Sequence, residues 1–122
     1  DHPFPQALED CLAAYEFIVN HISYYMNVKP KNIILAGDSA GGNLAASLTN
    51  MIIKRKDLPI PKGNFLAYPA MDLRKKYSPS LFNAFTDPLL KPPVLLLCLN
   101  EYLNYQTENA KDPRASPLLA TQ

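Results

Sequence analysis

The chain has 122 residues, 48% of them apolar, with 12 basic and 11 acidic side chains and a net charge of +1. That balance excludes the basic stripe of a nucleic-acid binder, while the apolar content is that of a packed globular segment. The longest apolar stretch, Val94 to Leu99, is far too short to cross a bilayer.

Along the chain, Leu8, Cys11, Leu12, Tyr15, Ile18, Val19 and Ile22 recur at helical spacing and predict one amphipathic helix, with Pro5 suited to its first turn. Asn27 to Lys31 reads as a loop. Asn32 to Ala36 is wholly apolar after its first residue and predicts a strand buried on both faces of a parallel sheet. The pentad Gly37-Asp38-Ser39-Ala40-Gly41 follows at once, and a second helix is predicted from about Ala40 through Leu44, Leu48, Met51 and Ile52 to Lys54-Arg55-Lys56. Those cations suit the negative end of the helix dipole. Pro59 and Pro61 mark a loop, and Asn64 to Tyr68 predicts a second strand stopped by Pro69. Helix, loop, strand, tight turn, helix and strand form part of a doubly wound, mostly parallel α/β sheet.

Beyond Pro69 the prolines at 79, 88, 92 and 93 divide the chain into short pieces, one of them capped by Thr86 or Asp87. Pro92-Pro93 starts a helix predicted through Leu103. Tyr105 to Arg114 reads as polar and exposed, and Ser116-Pro117-Leu118-Leu119 as an extended or turn segment. There are no repeats, low-complexity tracts or internal domain boundaries.

The pentad carries the chemistry. A Gly-x-Ser-x-Gly turn between a strand and a helix is the setting of a nucleophile elbow. A side chain at the tip of so sharp a turn projects outward while the backbone on either side passes close to its neighbours, so Gly37 and Gly41 are expected to supply the missing side chains. The helix behind Ser39 points free amides and the positive end of its dipole at the reacting centre, and the Ala40 amide is the natural oxyanion donor. Ser39 is the predicted nucleophile. A serine nucleophile needs a base and an orienting carboxylate. His2, at the start of the chain, and His21, within the first helix, read as surface or helix-terminal side chains, and no histidine follows Ser39. Cys11 and Cys98 show no metal-ligand spacing with either histidine. They are expected to be buried free thiols, which favours a reducing, cytoplasmic location. Neither a metal nor an organic cofactor is indicated.

The run Gly37-Asp38-Ser39-Ala40-Gly41-Gly42-Asn43-Leu44-Ala45 resembles the serine signature of the hormone-sensitive lipase family of α/β-hydrolase esterases. The resemblance extends over essentially the whole chain: Phe4 to Asp10 resembles the family's helix before the nucleophile strand, Tyr68-Pro69 the end of the next strand, and Asp112-Pro113 with Ser116-Pro117-Leu118 the segment before the strand after that. Asp87-Pro88-Leu89-Leu90-Lys91-Pro92-Pro93-Val94 and Cys98 look more like the hormone-sensitive lipase branch than like bacterial esterases or arylacetamide deacetylases. The resemblance implies an α/β-hydrolase fold and a carboxylic-ester hydrolase acting on lipid-like acyl esters through an acyl-Ser39 intermediate. Asp38 and Gly42 would shape the turn. The partner would be a lipid or small acyl-ester substrate, with contact to lipid droplets or membranes peripheral. The family's glycine-rich oxyanion loop, acid and histidine are expected outside residues 1–122, making the chain the central part of one catalytic domain, incomplete at both ends and inactive in isolation. Asp87 lies too early for the family's acid and reads as a cap or turn residue, and Asp72 as structural. Lys75-Lys76-Tyr77-Ser78 has the shape of a kinase site but reads as a solvated basic loop. The Ser-rich regulatory insertion of vertebrate members is replaced by a short polar link, so control through such an insertion is not expected. The alternatives are a noncatalytic ligand-binding receptor on the same fold, as in the gibberellin receptors, or an inactive truncated product.

Overall fold

Helix α1 (Gln6–Met26) leads the chain in the computed structural model, which describes residues 2–74 and 84–121. Its N-cap is Pro5, joined to Phe4 by a cis bond, so that proline stands just outside the first turn. The helix ends where Asn27 turns left-handed at φ 51° and donates its amide to Ser23 O at 3.1 Å, a conformation asparagine tolerates better than most residues. Strand β1 (Ile34–Asp38) is followed without a spacer by α2 (Ser39–Lys54), and β2 (Gly63–Ala67) closes a parallel β-α-β unit. Ile34 pairs with Gly63 and Asp38 with Ala67.

Both strands are displaced from their expected bounds. β1 starts two residues beyond Asn32 and runs through Gly37 and Asp38 into the pentad itself, because the ladder with β2 is what delimits it. The Lys62 amide already bonds Ile33 O at 2.8 Å ahead of that ladder. The expectation of a strand buried on both faces is also corrected. Ile33 and Leu35 pack on the helices, whereas Ile34 is 65% and Phe65 of β2 71% exposed. An all-apolar strand records that both faces suit burial, but only the face toward α1 and α2 is covered by the described residues.

Two clusters hold these elements. Leu8 and Tyr15 of α1 meet Leu48 and Ile52 of α2 and Leu58 of the following loop, with Cys11, Leu12, Val19, Leu44 and Met51 around them. Leu8 and Ile52 are fully buried, each stabilising the fold by about 1.5–3 kcal/mol. Ile18, expected in this stripe, lies on its flank and is exposed. The Tyr15 hydroxyl donates to Pro59 O at 2.7 Å, so the one polar atom of that side chain is satisfied. At the end of α2 only Lys54 lies in the last turn, while Arg55 pairs with Glu16 and Asp57.

The second cluster joins Phe4, Leu73, Leu103, Ala110 and Ala115. Helix α3 (Pro92–Tyr102) contributes Leu99 and Tyr102 to its edge. Phe4 and Tyr102 meet edge to face, and Arg114 lies over the Phe4 ring. The segment expected to be polar and exposed contains a 3₁₀ helix over Thr107–Lys111 that buries Ala110, and the expected turn at Ser116 is a second over Pro117–Leu119. Cys98 is exposed and Cys11 half-buried, correcting the expectation of two buried thiols. α3 is apolar almost all round and among the described residues packs through one side, which leaves Val94, Leu96, Leu97 and Cys98 outward. Burial raises the Cys11 thiol pKa, with Asp10 adding to the effect. Lys75 to Ser78 and Pro79 lie outside the described residues.

Candidate active site

The elbow forms because β1 ends in an extended residue and α2 begins in a left-handed one. Asp38 has φ −114° and ψ 149°, and Ser39, the first helical residue, has φ 50°. A left-handed non-glycine residue costs about 1–3 kcal/mol and persists only where its surroundings hold it. Here the Ala70 amide donates to Ser39 O at 3.2 Å. Ser39 is exposed at the tip, between exposed Asp38 and Ala40.

The turn is tight enough to require a missing side chain at Gly37. A Cβ there would stand 2.3 Å from both C and O of Gly41 and 2.8 Å from Gly42 N. At Gly42 it would stand 2.8 Å from Pro69 Cβ and 3.2 Å from Gly37 O. Gly41 differs from expectation, since a Cβ there meets no heavy atom within 4 Å among the described residues. The close approach runs from Gly37 to the α2 backbone and from Gly42 to the loop after β2, so among the described residues the packing calls on Gly37 and Gly42 rather than on Gly41.

Asp38 occupies the N-cap but makes no side-chain cap bond. Its Oδ2 accepts from the Tyr68 hydroxyl at 3.4 Å instead. The amides of the first turn of α2 have no intrahelical acceptors, and those beside Ser39 therefore face the exposed tip with the positive end of the dipole behind them. Tyr68 is itself left-handed at φ 36° and 77% exposed. Two strained residues thus stand side by side at the carboxyl ends of neighbouring parallel strands, where open α/β sheets bind their ligands.

Two buried polar side chains behind the elbow were not singled out from the sequence. Asn43, 3% exposed, donates through Nδ2 to Ala70 O at 2.6 Å and to Ala115 O at 2.8 Å. Ser116, fully buried, accepts from Leu73 N at 2.9 Å and donates to Ala110 O at 2.7 Å. The sequence signal for Asn43 was its place in the serine signature, which gives its residue type but not its partners.

The remaining candidates stand apart from Ser39. His21 packs its ring on Phe17, and His2 borders a hollow with Glu101 and Tyr102. No hydrogen bond among the described residues joins either histidine to Ser39. Asp87 is a turn residue, as expected: its Oδ1 accepts from Leu89 N at 2.8 Å and Leu90 N at 2.9 Å, and those amides lower its pKa. Asp72 is engaged with Arg74. Among the described residues no cluster of His, Cys, Asp or Glu could hold a metal ion. Two cavities of about 320 Å³ each lie behind the elbow rather than before it, one under Ser47 and Met51 and one between α1 and α2. Neither is lined by Ser39.

A family model described as the alpha/beta hydrolase fold matches residues 1–122. The chain belongs to that family. It is 40% identical over 106 residues to the hormone-sensitive lipase of Ictidomys tridecemlineatus, covering 87% of this chain and 14% of that protein. Against an esterase of Acinetobacter venetianus it is 33% identical over 118 residues, 97% of this chain and 37% of the esterase. Among solved structures, a thermophilic carboxylesterase from a metagenomic library superposes with a TM-score of 0.86 at 32% identity, over 98% of this chain and 40% of that one. Carboxyl esterase 2 of Tuber melanosporum does so with a TM-score of 0.87 at 28% identity, over 98% and 38%. This α/β-hydrolase chain therefore spans about a seventh of the lipase and about two-fifths of the esterases it matches.

Proposed function

We propose that the chain carries the nucleophile of a serine carboxylic-ester hydrolase acting on lipid-like acyl esters, as the nucleophile-bearing part of a larger catalytic domain. The observation that carries this reading is Ser39, exposed and left-handed at φ 50° between a strand and a helix, with Gly37 allowing the turn to close. Hormone-sensitive lipases and esterases among its relatives support the reaction class.

In this reading Ser39 Oγ attacks the ester carbonyl while a base removes its proton, and the carbonyl oxygen becomes an oxyanion facing the Ala40 amide. Asp38, Gly41 and Gly42 complete the turn that presents them. Collapse of the tetrahedral intermediate breaks the acyl–oxygen bond, the alcohol leaves protonated, and water releases the acid from Ser39. Neither His2, which borders a hollow with Glu101 and Tyr102, nor His21, packed on Phe17, is joined to Ser39 among the described residues, so in this reading the base and its carboxylate come from other segments of the domain, and residues 1–122 alone do not turn over ester. No step calls on a metal or organic cofactor. Contact with lipid droplets or membranes would be peripheral in this reading; no described helix is long and apolar enough to cross a membrane. A cytoplasmic location belongs to the same proposal.

A fluorophosphonate probe tests the assignment. The intact protein should be labelled at Ser39, and Ser39→Ala should lose both label and ester turnover. An intact protein that binds acyl esters without labelling would instead be a receptor on this fold.

A further inference from the structure

We infer that Asn43 is a positioning residue for Ser39, acting through Ala70. The inference rests on the nucleophile reading above, and its geometry stands apart from it. Ser39 is held left-handed at φ 50°, and the bond that fixes its carbonyl plane from outside α2 is Ala70 N–H to Ser39 O at 3.2 Å. Ala70 lies in the loop after β2, beyond the ladder that ends at Ala67. Something must hold that loop against the elbow. Asn43 does so from one turn further along α2, donating to Ala70 O at 2.6 Å and, with its second N–H, to Ala115 O at 2.8 Å.

The result is a closed circuit from Ser39 along the first turn of α2 to Asn43, across to the Ala70 carbonyl, and back from the Ala70 amide to the Ser39 carbonyl. Ala115 anchors it to the second core cluster, where it is fully buried beside Leu73 and Ala110. A primary amide supplies both donors from one nitrogen. Leucine has the right size and no donor, and a carboxylate would set two negative oxygens against two carbonyl oxygens. Asn43 is 3% exposed, so water does not replace either bond freely. Loss of the amide releases Ala70, and the Ser39 tip and its neighbouring amide lose their fixed placement. A misplacement on the order of 1 Å in a site of this kind lowers the rate by about 10²-fold.

The experiment compares Asn43→Leu and Asn43→Asp with Asn50→Leu in the intact protein. Asn50 sits on the same helix and donates a longer bond, 3.4 Å, to Pro117 O, so its variant controls for loss of a helix-to-loop bond away from the elbow. Three quantities are read: fluorophosphonate labelling rate, kcat against KM for a short acyl ester, and amide hydrogen exchange in peptides spanning residues 68–71. Asn43→Leu should lower labelling and kcat by about 10–100-fold, with KM within about twofold. It should speed exchange at Ala70 while the β1–β2 ladder stays protected. Asn50→Leu should do neither. Relative to the wild type at the same pH, Asn43→Asp should be least impaired at low pH, where a protonated carboxyl can still donate one bond, and fall further behind as it ionises. Unchanged exchange at Ala70, or a kcat equal to that of Asn50→Leu, overturns the inference. If the wild type does not label at Ser39, the nucleophile reading fails, and the exchange measurement still decides whether Asn43 holds Ala70. If Asn43→Leu does not fold, the pH dependence and exchange of Asn43→Asp decide the matter.

Discussion

Replacing Gly37 by alanine places a methyl group where the backbone of α2 already is. The new Cβ would lie 2.3 Å from Gly41 C and O and 2.8 Å from Gly42 N, against about 3.5–4.0 Å for relaxed carbon contacts. The overlap of more than about 1 Å falls on main-chain atoms, so no side chain can rotate away. Relief requires the first turn of α2 to slide from the end of β1, at a cost of about 1–3 kcal/mol or more. With a urea slope of about 1–3 kcal/mol/M, the unfolding midpoint should fall by roughly 1 M. The same slide moves Ser39, and labelling by a fluorophosphonate should slow by about 10²-fold. Gly41→Ala is the internal control. Its Cβ meets nothing within 4 Å among the described residues, and alanine is the better helix former by about 1 kcal/mol, so its midpoint should hold or rise. Gly42→Ala should fall between, since its clash is with Pro69 Cβ at 2.8 Å and Cα at 3.1 Å. Equal midpoints and labelling rates for Gly37→Ala and Gly41→Ala would refute the packing argument for the elbow.

Two further outcomes follow from the second core cluster. Ser116→Ala strands the Leu73 amide and the Ala110 carbonyl in a fully buried position, so chemical denaturation should show a loss of about 1–3 kcal/mol, and restoration by Ser116→Thr but not by Ser116→Val would assign that loss to the hydroxyl. Asp112 accepts from Arg114 Nη2 at 2.8 Å and from the Arg114 amide at 2.8 Å, and the Arg114 guanidinium is the first cause of its lowered pKa. A carboxylate depressed in the folded state adds stability above its unfolded pKa of about 3.9 and loses it as pH falls through the lower folded value. The stability gap between wild type and Asp112→Asn should therefore be open at neutral pH and close in acid below about pH 4, and a gap that widened there would contradict the assignment.

Local chemistry determined much of this protein. The helical spacing from Leu8 to Val19 specified the face of α1 that meets α2, because a 3.6-residue period is written in consecutive residues. A strand breaking into a Gly-x-Ser-x-Gly turn specified the elbow, and Asp87 was legible as a turn residue because an Asx bond reaches only two or three residues along the chain. What stayed hidden depends on partners far away in sequence. That the elbow needs Gly42 turns on Pro69, 27 residues beyond it, and the anchorage of Asn43 turns on Ala70 and Ala115, which are just as far away or farther. The outward sides of Ile34 and Phe65, and of Cys98 on α3, follow from which of the described residues pack on these elements. A sequence records that a side chain suits burial or can donate two bonds. Only the tertiary structure decides what lies within 3 Å to receive them.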